Sequence, residues 1–237
     1  MIRNKEGARL EEVKAELTAQ LENPVAFTIP ILDGIPVSQS VVVSWIIMAA
    51  LTLAAILLTR NLKPVPGRRQ LVLEMFVGLI NNFSRDIIGK EWKRFAPWLG
   101  TVALYITCAN LIGLVGLVPP TKNLNVTGAL GLSSMVVIYT AAFRVYGIRG
   151  GFGQFLKPSP VMLPINIMEI AIRPLSLCMR LFGNVLAAFI VMELVKMVVP
   201  VVVPVAFSLY FDIFDGIIQT IVFVFLTGIF IGEALEE

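Results

Sequence analysis

Arg180 sits within an apolar run, residues 175–191, that reads LSLCMRLFGNVLAAFIV. A guanidinium does not lose its proton inside a protein. Holding one at the middle of a bilayer costs about 2.5–3.5 kcal/mol on insertion scales, so such residues face a counter-charge or water. No acid stands one helical turn from Arg180 on either side. The balancing charge must therefore come from another element or another chain, an arrangement that belongs to ion transport.

At about 100° per residue, Asn166, Glu169, Arg173, Ser176 and Asn184 all fall within roughly 40° of Arg180, on a helix that is otherwise almost wholly apolar. Such a stripe faces something other than lipid. Glu169 and Arg173 also have the i, i+4 spacing of an ordinary ion pair inside a bundle. Glu193 and Lys196 project to nearly the opposite side. They fit an interfacial i, i+3 pair, or, for Glu193, the wall of an aqueous cavity.

A second stripe follows. Ser208, Asp212, Asp215 and Gln219 lie within about 60° of one another at helical pitch, with Glu233 farther along the same face. Two aspartates within one turn repel if both are ionised. Either one is protonated, or both touch water, or a cation lies between them. Gln219 taken alone also fits a neutral hydrogen bond between helices. The chain contains no histidine, so protons would travel along carboxylates and water. Glu193, Asp212, Asp215 and Glu169 are the carriers available, and sodium would use the same oxygens.

The elements that hold these stripes are legible in the composition. Of 237 residues, 57% are hydrophobic and 15% charged, against roughly 45–50% and about 25% in soluble domains. The chain reads as an all-α integral membrane protein. Its two cysteines, Cys108 and Cys178, lie in apolar segments and read as small buried hydrophobes. No metal site or cofactor is expected, no nucleic-acid partner, and no Gly-rich phosphate loop appears. Residues 1–22 mix both signs of charge without the apolar core of a signal peptide. Residues 1–36 thus precede a membrane domain over 37–237.

Five stretches reach the length of about 20 residues needed to span hydrocarbon: 37–59, 96–118, 124–143, 161–195 and 203–232. The last two are longer than needed and interrupted by polar groups, which predicts steep tilting. Between the first two spans, Leu71, Val72, Met75, Leu79, Phe83 and Ile87 recur at helical spacing among basic residues. That pattern predicts an amphipathic helix over about 68–88 at the membrane surface. Lys and Arg gather in 60–94 and 144–157, which the positive-inside bias places in the cytoplasm. Five crossings then leave the N-terminus outside and the C-terminus cytoplasmic. No internal repeat of the kind that builds inverted-repeat transporters is visible.

The block Arg180-Leu-Phe-Gly-Asn184 is preceded by Arg173-Pro-Leu-Ser176 and followed by Gln219 in the last span. With Val65-Pro-Gly67 and Asn125-Val-Thr127, these residues resemble the subunit a family of the F-type ATP synthase membrane sector, over roughly 38–237. The resemblance implies a stator beside a rotating ring of c subunits, held with peripheral-stalk b subunits in the whole complex and in a bacterial plasma membrane. Ions (H+ or Na+) would enter and leave the ring by two half-channels, and Arg180 would be the essential gate between them. Asn184 and Gln219 match polar positions beside that arginine. Some members carry Glu nine residues after the arginine and His seven before the glutamine; here those positions are Phe189 and Asp212. Glu193, one turn beyond Phe189, is then placed to take over the acid's role. A stand-alone secondary cation transporter and a passive membrane anchor are the competing readings.

Overall fold

The structure, a computed structural model, describes residues 25–29, 35–60, 62–154, 163–198 and 207–235. Two short strands come first, β1 (Val25–Ile29) and β2 (Ile35–Ser38), paired antiparallel with a bulge between Val25 and Phe27. The all-α reading did not include this pair. The rest of residues 1–36 lies outside the described residues.

Helix α1 (Gln39–Thr59) follows directly. It is apolar all round and leaves Trp45, Ile46, Leu53, Ile56 and Leu57 exposed, as a helix bathed in lipid does. Its contact side is short: Val43 and Ile47 pack on Ala109, and the Tyr105 hydroxyl donates to Ser44 Oγ at 2.9 Å. Helix α2 (Arg68–Ile88) matches the expected amphipathic helix in its bounds. Much of its apolar stripe turns away from the protein, with Leu71, Val72, Met75 and Leu79 all exposed, while Ile80, Ser84 and Ile88 are buried. Gly89, at φ 73, ends it in a left-handed conformation that favours glycine, and a 3-10 turn (Gly89–Glu91) folds the chain back.

Helix α3 (Trp92–Leu111) starts four residues before the expected span and tightens into a 3-10 turn (Ile112–Val115). Helix α4 (Leu124–Gln154) is broken at Gly147, whose φ of 70 no helix contains. Helix α5 (Leu163–Val198) carries Pro174 inside it. Helix α6 (Leu209–Leu235) opens with a seven-residue π-helix (Leu209–Asp215) before the α-helix Gly216–Leu235. Residues 203–206, expected to begin this span, lie outside the described residues. Five helical stretches are long and apolar enough to cross a membrane: Gln39–Thr59, Arg68–Val115, Leu124–Val145, Pro164–Met192 and Leu209–Leu235. The protein is an all-α multi-pass membrane protein apart from the small strand pair.

The core forms where α3, α5 and α6 meet, with Leu99, Ile106, Leu177, Leu181, Phe223 and Ile231 at most 2% exposed. Helix α5 packs chiefly on α4, and small residues allow the approach. A Cβ placed on Gly131 would lie 2.7 Å from the Pro174 carbonyl oxygen and 3.4 Å from Cys178 Cβ. Lipid offers no hydrophobic gain for helix association, so close van der Waals contact of this kind holds membrane helices together. We predict that Gly131→Leu destabilises the protein by about 1–3 kcal/mol through overpacking. The measurement is the unfolding midpoint of the purified chain in detergent, and an unchanged midpoint would show that the α4–α5 contact is loose.

Candidate functional site

Arg180 lies on the side of α5 that turns away from α4. Its neighbours on that side, Leu175, Ser176, Met179 and Asn184, are exposed, and Arg180 itself is half-buried. Among the described residues it makes no hydrogen bond and no ion pair. A guanidinium has five N–H donors, and none of them meets an acceptor among the described residues.

Arg173 behaves differently. Its Nη2 donates to Glu169 Oε2 at 2.6 Å and to Glu233 Oε1 on α6 at 3.1 Å. Its guanidinium carbon lies 5.0 Å from the centre of the Phe230 ring. The i, i+4 pair anticipated from spacing is therefore one arm of a clamp that joins α5 to α6 near their shared end. Partial exposure keeps each arm to about 1 kcal/mol or less, so the clamp's main effect is to fix geometry. Asn166 and Ser176 remain on the stripe of α5 and take no part in the cavity described next.

That cavity, about 540 Å3, lies between the end of α3, the α3–α4 turn, α5 and α6. Asp212, Asp215 and Gln219 from α6 line it, with Asn110 from α3, Lys122 from the turn and Phe189 from α5. The Ser208 hydroxyl donates to Asp212 Oδ2 at 2.7 Å. The same carboxylate rests against Gly113, where a Cβ would stand 3.0 Å from Oδ1. The π-helix carries both aspartates, so the 3.6-residue spacing used above does not hold across Leu209–Asp215. Both acids nevertheless open into one cavity. A π segment inside a helix frequently marks a functional site.

Polar groups continue from the cavity towards Arg180. Gln219 is 3% exposed, and its Oε1 accepts from Asn184 Nδ2 at 2.6 Å. Its Nε2 has no hydrogen-bond partner among the described residues. Asn184 is one turn from Arg180 on the same helix. The described path therefore runs from Asp212 and Asp215 through Gln219 and Asn184 to the guanidinium. The side chains of Glu193 and Lys196 lie outside the described residues.

Sequence reasoning missed the far wall. Asn110 Nδ2 donates to the Gly216 carbonyl at 3.2 Å, and its Oδ1 accepts from Thr121 Oγ1 at 3.1 Å. Both residues are buried and pin α3 and the turn to the junction between the π- and α-segments of α6. A lone Asn inside an apolar span was a signal available for it. Lys122 had no signal beyond its charge.

Residues 41–232 match the family model described as the ATP synthase A chain. The chain is 34% identical over 197 residues to an ATP synthase subunit a of Moorella thermoacetica, covering 83% of this chain and 90% of the relative. It is also 34% identical over 205 residues to an ATP synthase subunit a 2 of a Bradyrhizobium species, covering 86% and 92%.

Proposed function

The chain belongs to the ATP synthase A chain family, and on that premise we propose that it is the ion-translocating stator subunit of an F-type ATP synthase. The guanidinium of Arg180, without a partner among the described residues and at the end of a polar path from a carboxylate-lined cavity, carries this reading. The cavity beside Asp212 and Asp215 is the half-channel open to the outside, following the positive-inside bias that puts the α3–α4 turn there. Ions pass from it to a carboxylate on a ring of c subunits, which packs on the exposed face of α5 around Arg180. The charge of Arg180 draws that carboxylate into its ionised form, so the bound ion is released, and it repels cations that would leak straight from one half-channel to the other. Ser176, Glu169 and Asn166 line the way out at the cytoplasmic side, with Glu193 on the outer side. Peripheral-stalk b subunits hold the stator against the turning ring. The chain binds no nucleotide itself; it sits in a bacterial plasma membrane with its N-terminus outside and its C-terminus in the cytoplasm.

The test is ATP-driven ion uptake by the purified complex in proteoliposomes, with pH and sodium varied independently. The complex should pump, and the isolated chain should exchange nothing. Cation exchange by the isolated chain alone would favour a secondary transporter instead.

A further inference from the structure

The wide turn that carries both aspartates ends on one peptide, and a side chain from another helix is bonded to it. Gly216 closes the π-segment Leu209–Asp215: its N–H donates back to the Phe211 carbonyl, five residues earlier. Its own carbonyl accepts from Asn110 Nδ2 of α3 at 3.2 Å and from Thr220 Oγ1 at 3.0 Å. The approach is close as well as bonded, since a Cβ on Gly216 would stand 3.0 Å from Asn110 Cβ. An amide buried in an apolar span costs free energy unless it is bonded. Here the Thr121 hydroxyl takes Asn110 Oδ1, which leaves the donor edge of the amide directed at Gly216.

That contact bears on the aspartates through the backbone. π-helical turns are rare, and the segment LYFDIFD holds no proline or glycine to open an ordinary helix. Its register is therefore held from outside. Asn110 holds the end, and Gly113 faces the middle, where it leaves room for the Asp212 carboxylate. Asp215 is the residue before Gly216, and Asp212 lies within the turn before that. At about 100° per residue, a shift of one residue in register swings each carboxylate far from its present direction. Asn110 lines the same cavity, yet among the described residues its bonds run to Gly216 and Thr121 and to neither carboxylate. We propose that Asn110 is a positioning residue of the ion path. By holding the Gly216 peptide it fixes the end of the π-segment and keeps Asp212 and Asp215 turned into the cavity. The consequence for pumping rests on the function proposed above; the placement of the aspartates does not.

The test reads placement and transport separately, in the whole complex reconstituted in lipid vesicles. Placement is read with a membrane-impermeant thiol reagent supplied on both sides, in a chain carrying Cys108→Ala and Cys178→Ala. Phe211 lines the cavity, whereas Phe214 is 54% exposed on the outer surface. Phe211→Cys should therefore label faster than Phe214→Cys. Asn110→Leu keeps the bulk of the side chain and removes both bonds. It should shrink that contrast and slow pumping about tenfold, since an ångström of misplacement can cost as much as about a hundredfold. Gly216→Ala acts from the other side of the contact and should move both readings in the same direction. Thr121→Val keeps the shape but frees the amide to turn, and a smaller change in both is expected. A wild-type labelling contrast in assembled Asn110→Leu overturns the proposal, even if pumping falls, because the asparagine would then act on the ion directly. Should Asn110→Leu not assemble, Thr121→Val decides by the same two readings, and an unchanged contrast again overturns it. Absence of pumping in the wild-type complex, with the contrast present there and lost in Asn110→Leu, would instead defeat the function proposed above.

Discussion

Arg180→Ala is expected to lower ATP-driven ion pumping by the assembled complex at least about a hundredfold, the usual scale for removing a preorganised charge from a reacting site. ATP hydrolysis by the soluble sector should persist, because Arg180 lies in the membrane part of the machine. Arg180, a group that must be charged, has no partner within the described residues. An unpaired guanidinium on an apolar face costs several kcal/mol, and contact with a carboxylate of the ring recovers that free energy. A membrane potential of 100 mV supplies about 2.3 kcal/mol per charge. A coupling of similar size lets the field drive the ring acid past the arginine while still discharging its ion. Alanine removes both the discharge and the barrier between the half-channels, so passive leak should rise as pumping falls. Arg180→Lys keeps the charge on a compact ammonium without the planar fork, and partial pumping is expected from it. Wild-type pumping in Arg180→Ala would overturn the assigned role. The measurement is pumping per unit of hydrolysis in reconstituted vesicles.

How much of this was readable beforehand varies by element. A helix over Arg68–Ile88 was legible because Gly67 and Gly89 bracket its apolar repeat. The number of stretches able to span a membrane was legible too, since hydropathy fixes it, although the second runs over Arg68–Val115 where 96–118 was expected. Two things escaped. The strand pair at 25–38 is short and lies where no alternating pattern extends beyond a few residues. The π-helix carries no composition signal, because its ladder of hydrogen bonds is chosen by packing around Gly113 and Asn110 and not by its own residues. For the site, the stripes of α5 and α6 were legible because polar groups stand out against apolar helices. Spacing also set Arg180 apart from the i, i+4 pair of Glu169 and Arg173. What it did not give was the second arm of that pair: contact with Glu233 makes Arg173 a clamp between helices, whereas Arg180 has no such contact among the described residues. That arm depends on the approach of α6, and no local pattern encodes it.

The two aspartates yield the second large effect, and its form matters as much as its size. Asp212 has a hydroxyl donor and a backbone wall at Gly113, whereas Asp215 has no hydrogen bond among the described residues and stands one turn before the buried Gln219. Both open into the same cavity, so each single Asn variant leaves one titratable carboxylate in place. We expect Asp212→Asn or Asp215→Asn alone to slow pumping about fivefold to tenfold, and the double variant to slow it at least about a hundredfold, in line with the usual weight of a positioned proton carrier. Residues that share one site couple in this way and are not additive. If only one carboxylate serves the path, its single variant will match the double and the other will be neutral. If neither serves, all three will pump normally while Arg180→Ala still fails, and the half-channel would have to run elsewhere. The double variant is isosteric at both positions, so assembly should be intact, and the yield of complex carrying the full set of subunits checks that before any rate is compared.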